Sequence, residues 1–142
     1  MEKDFTKAYI TEAFRLYARL GSPTYESAEE KIRAKVTDER PLEYETPTLL
    51  DFGAVEMTLD LLRQKEKDYI TKAVKDIYFV QPMKPLRRGD ITNRVRRFAI
   101  TNGADERTVY RWLKEARVLC AAIRGLRVSK ADTTKYLSDY PL

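Results

Sequence analysis

Histidine is absent from this 142-residue chain, and cysteine and tryptophan each occur only once. Without histidine there is no imidazole to activate a nucleophile or to ligate a metal ion. The single cysteine, Cys120, forms no internal disulfide and builds no cysteine-rich zinc site, and it suits a reducing cytoplasm. These shortages exclude histidine-dependent hydrolases and zinc sites built from histidine or several cysteines.

Glycine and long apolar runs are also scarce. The five glycines form neither a GxGxxG nor a Walker pattern, so no phosphate-cradling loop is indicated. No apolar run approaches the roughly 20 residues that span a bilayer, and the charged start MEKDFTKAY lacks the apolar core of a secretion signal. We therefore expect a cytoplasmic, non-enzymatic protein with no membrane segment, cofactor, metal site or catalytic residue.

The composition is that of a globular chain, with 43% hydrophobic and 35% charged residues. The charge is unevenly spread, because residues 84–127 hold ten Arg and two Lys against two Asp and two Glu. Residues 1–83 are slightly acidic and residues 128–142 are balanced. Such clustering indicates a polyanionic partner, and the preference for Arg favours phosphates and guanine edges.

Apolar residues recur at helical spacing along most of the chain, and we see no strong strand pattern, so an all-α fold is predicted. Thr48 with Asp51 resembles a capping box, while Asp90 and Asp105 are predicted helix caps. A linker is expected over residues 40–47. The predicted helices cover residues 5–20, 22–39, 48–64, 69–79, 90–102 and 105–124.

Residues 90–125 contain two amphipathic helical patterns on either side of the turn Asn102-Gly103. The turn residues favour a left-handed backbone, and small Ala99 lies where the two helices would approach most closely. A tight helix–turn–helix of this kind places its second helix in the DNA major groove. The predicted buried stripe of that second helix is Val109, Leu113, Ala116, Cys120 and Ile123.

The opposite face of the second helix carries basic and polar side chains. Arg107 and Arg111 lie four residues apart on one face, and either could bind O6 and N7 of guanine. Arginines in the first helix, and Arg87 and Arg88 before it, suit phosphate contacts. The predicted DNA-binding residues are Arg94, Arg97, Arg107, Thr108, Tyr110, Arg111, Lys114 and Arg117.

The segment GADERTVYRWLKEARVLC resembles the last helix–turn–helix of sigma factors, region 4. The similarity rests on Gly103, the pair Thr108-Val109, Leu113 and the pair Ala116-Arg117, and it is specific over residues 98–120. Asp105 stands where family members usually have Ser or Thr, and both can cap a helix. The overall layout is similar to phage late-gene transcriptional regulators of the ArpU type. No counterpart of the polymerase-core-binding and −10-reading parts is found, so a complete sigma factor is not expected.

The combined pattern predicts a phage or prophage transcription regulator that reads duplex DNA with the helix 105–124. We expect a helical N-terminal segment over 1–47, a sigma-like DNA-binding domain over 48–127 and a C-terminal tail over 128–142. Expected partners are double-stranded DNA, with RNA polymerase and a second copy of the chain as candidates for the N-terminal helices. Two alternatives stay open: a phage terminase small subunit, and a helical protein-interaction module that does not bind DNA.

Overall fold

A computed structural model describes residues 5–21 and 46–142. Within these two ranges the chain is helical and contains no strand, which confirms the predicted all-α class. None of the described helices is long and apolar enough to cross a membrane. The helices are α1 (Phe5–Arg19), α2 (Thr46–Gln64), α3 (Asp68–Ile77), α4 (Asp90–Asn102), α5 (Glu106–Arg124) and α6 (Lys130–Tyr136).

Helix α5 is the centre of the fold, because it contacts every other described helix. Its apolar stripe is buried as its spacing predicted, with Val109, Leu113 and Ala116 fully enclosed. Cys120 belongs to the same stripe, and burial raises the pKa of its thiol to about 12. The cysteine therefore behaves as a small core residue.

Helices α3, α4 and α5 contact one another in a three-helix unit. The turn between α4 and α5 depends on Gly103, whose backbone φ is 64°. Residues that have a Cβ rarely adopt this value. The N–H of Ala104 then donates to the carbonyl of Ala99 at 2.9 Å and closes the end of α4. Lys72 of α3 also donates to the Asn102 side chain at 2.9 Å, so the turn is tied to α3.

A fully buried arginine on α1 holds the loop between α3 and α4. The guanidinium of Arg15 donates to the carbonyls of Tyr78, Val80, Gln81 and Lys84 at 2.6 to 3.3 Å. No carboxylate of the described residues forms an ion pair with this guanidinium, so its hydrogen bonds all go to backbone carbonyls. Helix α1 thus fixes the loop that leads into α4.

The C-terminal tail contains a helix that the sequence analysis missed. Ser129 caps α6 by accepting a hydrogen bond from the N–H of Asp132 at 3.1 Å. The Ser-x-x-Asp spacing is a recognisable helix start, but only seven residues follow it, too few for a clear apolar period. Beyond α6, Tyr140 packs in the core and donates to Glu115 of α5 at 2.6 Å.

The structure describes α2 from Thr46, two residues before the predicted start at Thr48, so Asp51 lies within the helix and not in a cap. Asp51 forms a tertiary contact instead: its carboxylate accepts from the Tyr9 hydroxyl at 2.8 Å and from the Arg124 Nε at 2.7 Å. This contact joins α1, α2 and α5. Such long-range pairing is invisible to a local capping pattern.

The two predicted aspartate caps also differ from expectation. Asp90 is the first residue of α4, and its carboxylate accepts from the backbone N–H of Arg87 at 2.7 Å. Asp105 precedes α5 with an extended backbone but makes no side-chain capping hydrogen bond. The remaining predicted helix ends agree with the structure within about two residues, apart from the helix over 22–39, which lies outside the described residues.

One hydrophobic core runs through all the described helices. It includes Phe14 of α1, Leu62 of α2, Leu119 of α5 and Tyr136 of α6. The predicted division at residues 47 and 127 stays a prediction, but the core crosses both positions. Helices α1 and α6 therefore help to hold α5 in place.

Candidate nucleic-acid interface

The first half of α5 exposes a basic and aromatic surface. Arg107 and Arg111 are exposed, and Tyr110 beside them keeps 40% of its surface in solvent. The apolar residues of the same turns, Val109 and Leu113, point into the core and keep none of theirs. The amphipathic spacing of the sequence therefore places these three side chains outward.

The second half of α5 is covered on its outward face as well. Val118 lies on the helical face that carries Arg107, Arg111 and Lys114, yet it keeps only 8% of its surface exposed. Helices α1 and α6 both contact α5, and residues of both line a cleft with Val118. The exposed strip along α5 is consequently limited to its first two to three turns.

Three of the predicted DNA-binding residues have structural partners. Arg94 donates to the carbonyl of Ile77 at 2.9 Å, where α3 ends. Arg117 donates to the buried Tyr78 hydroxyl at 2.7 Å. Lys114 lies 3.5 Å from the Asp132 carboxylate of α6. Arg94 and Arg117 therefore contribute to the fold whatever else they bind, while the longer, partly exposed contact of Lys114 contributes little.

The other predicted residues are more accessible. Arg97 on α4 is exposed, and neither its side chain nor that of Arg107 makes a hydrogen bond or ion pair with another described residue. Thr108 is half-buried, and its hydroxyl lies 3.5 Å from the Arg111 guanidinium. The structure thus brings Arg107, Tyr110 and Arg111 together at the start of α5 and leaves Arg97 on the neighbouring helix.

Additional arginines lie along α4 and the loop that precedes it. Arg96 is exposed and pairs with Glu106, the first residue of α5, at 3.3 Å. Arg87 and Arg88 are exposed in the loop whose backbone carbonyls accept hydrogen bonds from Arg15. Their side chains make no hydrogen bond or ion pair with the rest of the described chain. The exposed cations therefore extend from α5 across α4 to this loop.

Two basic residues outside the predicted set lie close to Lys114 and Arg117. A cleft of about 140 Å³ brings Lys7 of α1 and Arg127 of the α5–α6 connection to the same place. Helical periodicity could not have found Lys7, because it comes from a helix more than a hundred residues away in sequence. Arg127 follows the end of α5 at Gly125, where periodicity stops.

A cavity of about 880 Å³ lies elsewhere, between α2 and α3. It is lined by apolar residues such as Leu50 and Met57 and contains none of the eight predicted DNA-binding residues. In the described ranges, no group of three or more histidine, cysteine or acidic residues is arranged to hold a metal ion. The basic surface of α4 and α5 is therefore the candidate site with the most distinctive chemistry.

No family model, curated protein or solved structure matches this chain. The resemblance to sigma region 4 accordingly stays a prediction that rests on the sequence. The basic surface is formed by the exposed arginines of α4, the start of α5 and the preceding loop. Its geometry and charge indicate the function.

Proposed function

We propose that this chain is a sequence-specific, non-enzymatic DNA-binding protein that regulates transcription, with the first turns of α5 as its reading element. The observation that carries the proposal is the contrast along α5. Arg107, Tyr110 and Arg111 project at one end of a helix whose other end is enclosed. In helix–turn–helix proteins, the N-terminal residues of the second helix contact the base edges.

The rigidity of α5 supports this role. The helix contacts five others, and its buried stripe includes Leu113, Ala116 and Leu119, which have no exposed surface. A side chain on such a helix loses less conformational freedom on binding than one on a mobile loop. The backbone that carries the arginines of the reading element is therefore fixed before the protein binds DNA.

The surrounding charge supports binding to a phosphate backbone. Arg97 on α4, with Arg87 and Arg88 in the preceding loop, is exposed and uncommitted to other described side chains. Phosphate contacts of this kind position a protein on the duplex, while contacts to base edges supply specificity. The basic surface offers both groups on adjacent elements.

A role in transcription, a phage or prophage origin and contact with RNA polymerase follow from the resemblance to sigma region 4 and ArpU-type regulators. The terminase and protein-interaction alternatives predict different behaviour in solution. A ring of eight or more subunits would favour DNA packaging, and co-purification of an acidic protein without duplex binding would favour an interaction module.

Selection of bound duplexes from a random pool, followed by titration at several salt concentrations, tests the proposal. We expect an enriched sequence motif and an affinity that falls steeply as salt rises, because phosphate contacts release counterions. Saturable binding that is indifferent to salt, or no duplex binding at all, would contradict the proposal.

Substitution of Arg111 separates base reading from charge. Arg111→Lys keeps the charge but loses the two-pronged guanidinium, so we expect base preference to weaken while the salt dependence stays nearly unchanged. Arg111→Ala should lose about 1–3 kcal/mol at one base position. A uniform loss over all sequences in both variants would make Arg111 a phosphate contact instead.

A further inference from the structure

The second half of α5 ends in a narrow basic cleft between three elements. Lys114, Arg117, Val118 and Ala121 form the α5 side of the cleft. Thr6 and Lys7 of α1 close one edge, and the segment from Arg127 to Asp132 closes the other. Among the described residues, four cationic side chains and one carboxylate thus line a space of about 140 Å³.

Two cations on the α5 side of the cleft retain the capacity to bind an anion. Arg117 uses one terminal nitrogen on the Tyr78 hydroxyl, which leaves the other N–H donors of its guanidinium available. Lys114 lies 3.5 Å from the Asp132 carboxylate, and its side chain is still 44% exposed. A long, partly exposed pair of this kind contributes little and can open for a stronger ligand.

The side chain of Arg127 is also available to a ligand in the cleft. It is exposed, and its side chain makes no hydrogen bond or ion pair with any other described residue. The backbone around it is nevertheless fixed, because the N–H of Leu126 donates to the carbonyl of Ala121 at 2.9 Å. The guanidinium is therefore presented from a defined position beside Arg117.

We propose that this cleft binds a phosphate of the DNA backbone at the rim of the major groove. Val118 lies seven residues after Arg111 on the same face of α5, which is about 10 Å along a helix. The major groove is about 8.5 Å deep, so a cleft at that distance from the base-reading arginine would meet the backbone of the duplex. The assignment rests on the proposed duplex binding and adds Arg127 to it.

The position of Asp132 implies that the protein limits its own affinity. Of the described residues that line the cleft, Asp132 is the only one with a negative side chain, and its carboxylate lies 3.5 Å from Lys114. A bound phosphate would replace Asp132 as the partner of that ammonium group, so part of the binding free energy is spent on separating the pair. Removal of this carboxylate should therefore strengthen binding to DNA.

Arg127→Gln tests the cleft in the full-length protein with a duplex taken from the selection described above. We expect the slope of log affinity against log salt to become shallower by about 0.9 and the affinity at 0.1 M salt to fall roughly three- to tenfold. The matched control is Lys75→Gln, which removes the same charge from the groove between α2 and α3. The control should leave the slope unchanged.

Asp132→Asn should change the affinity for DNA in the opposite direction. The backbone hydrogen bond from Asp132 to the Ser129 side chain is kept in this variant, so α6 retains its cap. We expect affinity for the same duplex to rise roughly two- to fivefold, with the largest gain at low salt. Base preference in both variants should match that of the unaltered protein, because a phosphate contact carries no sequence information.

Three results would overturn the assignment. Equal effects of Arg127→Gln and Lys75→Gln would reduce Arg127 to a general surface charge. Unchanged or weaker binding by Asp132→Asn would show that no anion replaces that carboxylate. If the unaltered protein binds no duplex, both the proposed function and the phosphate site in the cleft are refuted. If it binds duplex normally and the cleft variants bind with unchanged affinity, only the phosphate site is refuted. Thermal denaturation of each variant checks that the fold is kept.

Discussion

The two halves of α5 carry similar charged residues but use them differently. In the first half, Arg107 and Arg111 extend into solvent. In the second half, Arg124 bonds to Asp51 at 2.7 Å and Arg117 to the Tyr78 hydroxyl at 2.7 Å. Glu115 at the junction binds Lys67 at 2.7 Å and Tyr140 at 2.6 Å. Charge along a helix therefore does not by itself mark a binding surface.

The difference arises from the neighbours of each half. Helices α1 and α2, together with the C-terminal tail, supply partners to the second half of α5. The first half has helices on its apolar side and solvent on the other. Consequently, substitutions in the second half should affect stability, and substitutions at the start of the helix should affect binding.

The largest expected effect is that of Leu119→Ala, in the buried half. Leu119 keeps no exposed surface, so the substitution leaves a cavity beneath α5 and should cost about 2–5 kcal/mol of the free energy of unfolding. Urea denaturation followed by circular dichroism measures this loss. Arg111→Ala is the matched variant of the exposed half and should change stability by less than about 0.5 kcal/mol. Equal losses in the two variants would contradict the comparison.

Arg15→Met should have the next largest effect, through the loop between α3 and α4. The substitution keeps the length of the side chain but leaves four carbonyl groups without their donor, which should cost about 1–3 kcal/mol. Proteolysis within residues 78–89 should accelerate more than proteolysis elsewhere, because the loop loses its anchor. Arg19→Met, which removes one bond to Pro82 and an exposed ion pair with Glu12, is the control with a smaller expected loss. If the two variants are equally stable, the anchoring role of Arg15 is refuted.

The smallest expected effect is a loss of stability at alkaline pH around Glu115. Burial, together with the hydrogen bond to Glu115, raises the pKa of Tyr140. Burial is the largest single influence on Lys67 and lowers its pKa, but the hydrogen bond and charge of Glu115, together with Tyr140 and Asp139, outweigh it and raise the pKa of the ammonium group. Both groups hold their protons more tightly in the folded state, so their contribution is complete below pH about 10 and is lost as the pH rises above it.

Urea denaturation at pH 8 and at pH 10.5 measures that loss. Tyr140→Phe cannot ionise at this position, so the drop in its free energy of unfolding between the two pH values should be smaller than that of the unaltered protein. At pH 8 the variant should be less stable by about 1 kcal/mol, because one hydrogen bond to Glu115 is missing. An identical pH dependence in the two proteins would exclude Tyr140 from the alkaline transition.

Much of the local structure was predictable from the sequence, as the helices around Gly103 show. The spacing of Val109, Leu113 and Ala116 predicts the buried stripe of α5, and the structure buries all three. The short helix α6 was not predicted, although Ser129 and Asp132 have the spacing of a helix cap. Its seven residues are too few to show a helical period of apolar residues, so the segment resembles a polar tail.

The candidate site was predictable only in part. Arg107 and Arg111 were expected to be exposed and are, since the amphipathic pattern of one helix fixes their direction. Arg94 and Arg117 have the same local pattern but bond to groups 17 and 39 residues away. Lys7 and Arg127, which complete the cleft, gave no local signal because they come from different elements.

The sequence by itself determined five of the six described helices, the turn at Gly103 and the side of α5 that faces the core, because each depends on residues within a few positions of one another. Tertiary structure decided which arginines stay in solvent, which ones hold the fold and which ones meet at the cleft. The physical reason is that a guanidinium binds whichever acceptor the packing brings within about 3 Å. For Arg15, Arg94 and Arg117 those acceptors come from parts of the chain that only folding brings close.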